Sequence, residues 1–407
     1  MMVVGVDAHK KQCTTCLFDD VKGTAVESGA FPTTRQAVTE FMERFPQGTT
    51  VVIESSTTGK TVSKILSSKF QVHMVAPPER KATIKTNKRD AERIIKEDLL
   101  GYLRRCYIPS PYVEGLRFMV TKQMEIGQKI SRVKDQVHAL IERNMLQSEF
   151  SDLSDIFSVK GLERLSSLTL PREEAVALAM YLEELKLYTK QHRQMESEIA
   201  NAAISDEDCQ LLMSIPGVAS FTSVTLKARI GDASRFPSKK HLCSYAGIVP
   251  KANNTGENIS MHNHVKHGDA TLKYALTCAV RGAVAAGKNS AVKRFYLKQI
   301  RKGKSPQEAE VAAARKLACI TWKVLTSKQK YVEEDRYLTA RKIKRISFIA
   351  KRHLTYASKP EDVPSLIKSL TENSDVLERY SEHMHRRGKG SRSSTSLLQD
   401  VTRRKGP

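Results

Sequence analysis

The chain has 407 residues, with 67 Lys and Arg against 44 Asp and Glu, a formal net charge of +23. That length accommodates two or three domains, and an apolar content of 40% supplies a packed core, which excludes a disordered or fibrous chain. No apolar run reaches the ~20 residues that cross a bilayer, and the positive excess suits a polyanion, of which nucleic acid is the commonest. The N-terminus lacks the basic-then-apolar layout of a secretory signal, so a cytoplasmic protein is expected, without membrane contact. Seven scattered cysteines, an odd number, read as reduced thiols rather than a disulfide framework.

Residues 1–110 read as α/β. MVVGV predicts a short buried strand that ends beside Asp7, and CTTCLFDD and TAVESGAF predict two more strands joined through VKG. TTRQAVTEFMERF predicts an amphipathic helix opened by a Thr cap. TTVVIE is a further buried strand ending at Glu54, GKTVSKILSSKF a helix, and QVHMVAP a strand. KTNKRDAERI then sets Asp90 at the start of a helix inside a basic stretch. Carboxylates at strand ends converge on a divalent ion, and hard oxygen ligands suit Mg²⁺ or Mn²⁺. Three strands, helix, strand, helix, strand is the order of the ribonuclease-H-like fold. Its metal carboxylates lie at the ends of the first and fourth strands and on a later helix, the places of Asp7, Glu54 and Asp90. Cys13 and Cys16 form a CxxC, but residues three apart in a strand face opposite ways. With no second pair they read as two incidental thiols rather than zinc ligands.

In residues 111–205, Met119, Ile126, Ile130, Val133, Val137 and Leu140 recur at steps of three, four and seven. They predict one long helix. A second covers 173–203, with an irregular Ser-rich segment, 147–172, between the two. The pair reads as a coiled-coil arm that joins copies of the chain, the alternative being packing of the two helices within one chain.

Residues 206–331 read as a mainly helical domain. LLMSIPGVASFTSVTLKARIGD is helix, Pro-Gly turn, helix, similar to a helix-hairpin-helix whose turn offers backbone N–H groups to phosphate. Ala219 stands where a second glycine is usual. A short helix over SKKHLCSYAGI, a polar loop over PKANNTGENISMHNHVKHGD, and helices over 269–286, 290–301 and 306–327 follow. His262, His264 and His267 in the loop read as phosphate contacts or plain loop histidines ahead of zinc ligands. Residues 332–407 form a basic extension: an amphipathic RKIKRISFIAKRH, a helical stretch, and a disordered basic tail.

The ordered set of motifs is similar to the IS-one-ten family of insertion-sequence transposases, the group that includes the pilin-gene invertase. VGVDAHKK, IESSTTG, VAPPERKATIKTNKRDAERI and YIPS carry the resemblance in the first half. LLMSIPGV, IGDASRFPSKKHLCSYAGIVP, NNTG, HVKHGDATLKYAL and AAARKLACITWKVL carry it in the second. The resemblance implies an N-terminal domain like the junction resolvase RuvC with a DEDD metal site. It also implies a C-terminal transposase domain that supplies a serine nucleophile, DNA as substrate and a bridge RNA as guide; the coiled-coil arm would assemble the chain into a dimer or tetramer.

Carried over residue by residue, Asp7 and Glu54 match the first two acids. The last two lie in a Lys-Thr-Asp-x-x-Asp-Ala pattern, which here reads Lys85, Thr86, Asn87, Lys88, Arg89, Asp90, Ala91. Asp90 matches, and Asn87 replaces an acid with a neutral carbonyl ligand. Glu92, Glu97 and Asp98 are the nearby acids that could substitute. The nucleophile's place, just before a Gly, is held by Thr255 in place of serine, with Ser260 as the alternative. A water-activating, RuvC-like nuclease or junction resolvase and a non-cleaving nucleic-acid-binding remnant are the competing readings.

Overall fold

The computed structural model describes residues 2–76, 87–249, 251–255, 258–262, 268–286 and 289–352, with 87–90, 251–255 and 258–262 described in backbone alone. The chain divides into two compact units, Met1–Ser110 and Pro111–Pro407. Among the described residues no helix is long and apolar enough to cross a membrane.

The first unit is a mixed α/β sheet. In chain order it has β1 (Met2–Ala8), β2 (Gln12–Asp19), β3 (Thr24–Pro32), α1 (Arg35–Glu43), β4 (Thr50–Glu54), α2 (Thr57–Leu66), β5 (Gln71–Val75) and α3 (Asn87–Leu99). The sheet order is β3-β2-β1-β4-β5. β1 pairs antiparallel with β2 and parallel with β4, and β4 pairs parallel with β5. The central strands are continuous apolar runs because both of their faces are covered. Val4, Val6, Val51 and Ile53 pack in one core with Val38 and Phe41 of α1 and Val62 and Leu66 of α2. Val3, Val52 and Val75 pack in the other with Ala91, Ile94 and Ile95 of α3. The expected Thr cap is Thr34, whose hydroxyl accepts from Ala37 N–H at 3.2 Å, and Ser56 caps α2 the same way through Gly59 N–H at 2.8 Å. Cys13 lies in the first core and Cys16 in the second, on opposite faces, as the strand period requires.

Among its described residues the second unit is helical apart from one hairpin. It comprises α4 (Pro111–Arg143), α5 (Val159–Ser166), α6 (Arg172–Ser205), α7 (Glu207–Met213), α8 (Ser220–Ile230), α9 (Lys239–Tyr245), β6 (Lys251–Thr255), β7 (Asn258–His262), α10 (Ala270–Ala285), α11 (Ala291–Arg301), α12 (Pro306–Ser327) and α13 (Arg336–Arg352). The long helices α4 and α6 pack on each other within the one chain, burying Val137 of the heptad stripe, and Ile141 beyond it, with Leu178.

Four readings of the sequence need correction. Segment 147–172 is not irregular: it holds a 3-10 turn (Gln147–Phe150) and α5, whose Ser158 cap accepts from Gly161 N–H at 3.3 Å. Its serines hide apolar anchors, Phe150 and Leu165, that pack against the ends of α4 and α6. The polar loop after α9 contains the antiparallel pair β6–β7. The basic amphipathic stretch of the extension is α13, and it belongs to the core: Ile343, Ile346 and Ala350 bury with Leu116, Ile199 and Val224. The Ser197 hydroxyl of α6 donates to the Ala350 carbonyl at 3.0 Å. The expected final helix and tail lie outside the described residues.

The fourth correction is the Pro-Gly turn. Gly217 has φ +87°, and a Cβ there would overlap the Ala279 carbonyl of α10. Val218 N–H donates to Ile215 O at 3.2 Å, and Ala219 N–H donates to Thr222 Oγ1 at 2.7 Å. Two of the amides that would meet a phosphate are therefore taken, and the turn serves packing.

Lys342 of α13 closes the carbonyl end of this turn, donating to Met213 O at 2.6 Å and Ile215 O at 3.3 Å. Burial lowers its pKa to about 8, against smaller opposite effects of Glu334 and Asp335. A base depressed in the fold releases its proton there before the unfolded chain does at ~10.4, so stability rises with pH between the two values. Lys342→Met is expected to remove about 2–3 kcal/mol of that rise. Urea midpoints of both proteins at pH 7.5 and 10 check it.

Candidate metal centre and nucleophile hairpin

The parallel ladder between β1 and β4 ends at Val6 opposite Ile53. Asp7 and Glu54 are the next residue on each strand. By the alternation of the pleat they share the face of Val3 and Val52, the face that α3 covers. The Asp7 side chain is only 13% exposed, and its Oδ2 lies 3.0 Å from His9 Nε2. Two carboxylates thus stand side by side at the carboxyl ends of adjacent strands.

α3 reaches this point because β1 has no side chain at residue 5. A Cβ on Gly5 would overlap the Ala91 carbonyl and strike the Ile95 side chain. One helical turn further on, Lys96 Nζ sits 5.6 Å from the Phe18 ring centroid, and Phe18 is registered with Val3. The helix therefore runs from the Asp7 end of β1 toward the Val3 end. Its first turn, which carries Asn87 and Asp90, lies on the carboxylate side. Those two residues are described in backbone alone, and among the described residues no group of three or more His, Cys, Asp or Glu gathers for a metal. Two strand carboxylates under a helix start fit a hard divalent ion: oxygen donors predominate, and the sulfur of Cys13 is unsuitable. Burial raises the Cys13 pKa, as does the charge of Asp7, against a lowering bond to Thr33, so Cys13 stays a thiol.

The three substitute acids are committed elsewhere. Glu92 pairs with Lys96 at 2.7 Å and Glu97 with Arg93 at 2.5 Å, both at (i, i+4) spacing on α3. Asp98 is buried between Arg105 and His73, each at 2.9 Å. Burial alone would raise its pKa, but those two partners outweigh it and hold the carboxyl below its ordinary value.

The expected nucleophile sits on the hairpin. Thr255 is the last residue of β6, paired with Asn258, and Ser260 is paired with Asn253, two steps down the ladder. Thr255 is thus at the tip of an ordered ladder rather than in a loop. Gly256 and Glu257, which join the strands, lie outside the described residues, as do His264, Lys266 and His267; His262 ends β7. The signal for the hairpin was Ile259 and Met261 alternating with polar residues after a glycine.

Both ends of this finger are fixed at one place. Gly268 lies so close to Gly247 that a Cβ on it would strike the Gly247 backbone, and Asp269 N–H donates to Tyr245 O at 2.9 Å. Arg315 Nε holds the Ile248 carbonyl at 3.1 Å, and Asp269 caps α10 by accepting from Leu272 N–H at 2.9 Å. The sequence reading missed Arg315 and the Gly247–Gly268 contact. Neither leaves a local signal, because both are contacts between distant segments.

Comparison with known proteins bears on both halves. Residues 4–145 match a DEDD-type family model described as "Transposase", and residues 209–297 match one described as "Transposase IS116/IS110/IS902 family". The chain belongs to the IS110 family of transposases. The transposase for insertion sequence element IS1111A of Coxiella burnetii is 31% identical over 137 residues, 33% of this chain and 38% of the relative. The pilin gene-inverting protein of Moraxella bovis is 35% identical over 117 residues, 28% of this chain and 36% of that protein. The transposase for insertion sequence element IS1328 of Yersinia enterocolitica is 26% identical over 279 residues, 63% and 77% of the two chains. The chain thus spans little more than a third of the first two relatives. Asp7, Glu54, Asn87 and Asp90 fall inside the first matched segment of this IS110-family chain, and Thr255 and Ser260 inside the second.

The Gly5 contact is directly testable. Gly5→Ala is expected to push α3 from the sheet at a cost of about 1–3 kcal/mol, the usual range for overpacking. A lowered urea midpoint with an unchanged slope checks it, and an unchanged midpoint would show that α3 does not depend on that approach.

Proposed function

We propose that the chain is an insertion-sequence transposase that cuts and rejoins DNA strands, with a ribonuclease-H-like, RuvC-like metal domain over residues 1–110. The observation that carries the reading is the pairing of Asp7 and Glu54 at neighbouring strand ends beneath the start of α3. The strand order β3-β2-β1-β4-β5 supports the fold assignment. Residues 111–205 act as an arm for assembly into a dimer or tetramer, 206–331 as the transposase domain, and the basic residues of the tail, 384–407, as phosphate contacts. The relatives, a transposase and a gene-inverting protein, support DNA rearrangement as the reaction class. A bridge RNA as guide and a cytoplasmic setting complete the proposal.

Asp7, Glu54 and Asp90, with the carbonyl of Asn87, would hold Mg²⁺ or Mn²⁺. A bound ion of that kind would neutralise charge on the scissile phosphate. The Thr255 hydroxyl attacks phosphorus. A new Thr255 Oγ–P bond forms, the P–O bond to one strand breaks, and the proton lost from the hydroxyl is balanced by protonation of the departing strand oxygen. Attack by a strand hydroxyl on the phosphothreonine reverses the step and rejoins DNA without ATP. Asn87 in an acidic position and threonine in place of serine favour a second reading, a metal-dependent nuclease in which water takes the nucleophile's part.

Asp7→Asn is expected to cut strand cleavage to about a hundredth or less, on the scale of losing one preorganised electrostatic group, with DNA affinity retained. Cleavage assays beside binding titrations check it. Peptide mapping after incubation with Mg²⁺, guide RNA and DNA should find the adduct on Thr255, and Thr255→Ser should keep or raise the rate. An adduct on Ser260 moves the nucleophile along the hairpin. Cleavage without any adduct establishes the water-attack reading.

A further inference from the structure

α10 buries Leu272, Ala275, Leu276, Ala279, Val280 and Ala283 in the second unit's core. On its outer side Lys273, Tyr274, Thr277 and Arg281 line a depression of about 320 Å³, closed on the other side by Gln307 and Glu310 of α12. Tyr274 is 46% exposed, unusual for a ring set among charges. Arg281 lies two turns along the same face, about 10 Å away along the axis, and Lys273 adjoins the ring in sequence. The Arg281 Nε donates to Glu310 Oε2 at 3.0 Å, which fixes the guanidinium at the rim. The same Arg281 Nε also lies 3.0 Å from Glu310 Oε1, so the guanidinium faces both carboxylate oxygens. The phenol pKa is raised, first by its bond to Cys278, so the ring carries no charge that would repel a phosphate.

We propose that this depression is a stacking site for an unpaired nucleobase, with Tyr274 as the platform and Lys273 and Arg281 holding the phosphates on either side. Charge complementarity commits it to a polyanion, and an exposed ring between two cations suits a single strand. Every base has a face to stack, whereas a duplex buries its faces. The depression lies beyond the base of the β6–β7 hairpin, since Asp269 both receives the returning strand and caps α10. A strand held there lies about one helical turn from Asp269, at the pinned base of the hairpin. The inference rests on the proposed nucleic-acid function and names the strand state that this part of the protein takes.

The test uses the full chain with two fluorescent probes at several salt concentrations, a single strand of about 16 nucleotides and a duplex of the same length. Tyr274→Ala is expected to weaken single-strand binding about 5- to 100-fold, the range for loss of one base stack. Duplex affinity and the salt slope should stay unchanged, and Tyr274→Phe should bind like the wild type. Equal loss on both probes, or no loss on either, overturns the stacking site while leaving the proposed function standing. Failure of the wild-type chain to bind either probe overturns both.

Discussion

The first unit depends on one close approach, α3 lying on β1 where Gly5 leaves room for it. The β1 and β4 runs bury both faces of the sheet, so the helix must come to van der Waals distance to close the Val3–Val52 core. That packing requirement and the carboxylate arrangement are one constraint. A helix held at Ala91 and Ile95 over Gly5 necessarily starts at the strand ends where Asp7 and Glu54 stand. Asp98 serves the same end from the other terminus, because its bonds to His73 and Arg105 tie the end of α3 to β5 and to the chain beyond it.

The second unit answers a different demand. A short two-stranded ladder is marginal on its own, and β6–β7 gains its definition from the pinned base. Gly247 and Gly268 bring the two ends into contact, and Arg315 satisfies a carbonyl that would otherwise face the core. The surrounding helices are rich in alanine at the contacts, with Ala275, Ala279, Ala283, Ala313, Ala314 and Ala318 buried together. Small residues let α10 and α12 approach closely, and Gly217 lets the Pro-Gly turn lie on α10 in the same way. Room given to backbone contact is not available to a phosphate, which is why a turn that resembles a helix-hairpin-helix in sequence packs instead.

Much of the first unit was legible because each signal is local. Apolar runs, a Thr cap and a strand-period argument about Cys13 and Cys16 all refer to neighbours within a few residues. The positions of Asp7 and Glu54 at strand ends follow from the same reading, while their shared face needs the β1–β4 register, which the sequence does not state. The fate of Glu92 and Glu97 was in fact readable: Lys96 and Arg93 stand at (i, i+4), and each pair forms. Asp98 was not, because its partners are His73, on a strand 25 residues earlier, and Arg105, past the helix end. Thr255 looked like a loop residue because asparagine-rich strands carry little β propensity; the contact that fixes the base of its hairpin joins segments distant in sequence.

α13 shows where composition misleads. Its stretch is dense in Lys and Arg, which suggests a solvated appendage, yet Ile343, Ile346 and Ala350 fall at steps of three and four on one side. That side fills the gap between the start of α4, the end of α6 and α8. Long basic side chains tolerate this because their charged heads stay outside while the apolar stripe is buried. The exception is Lys342, whose ammonium is drawn inward to the carbonyl end of the Pro-Gly turn, where burial depresses its pKa. The matched segments end at residue 297, but the core that supports α4 and α8 closes only with a helix that begins at Arg336. The folded body therefore extends past the matched segments, and the base of the long helical pair is built from three stretches of chain that lie far apart in sequence.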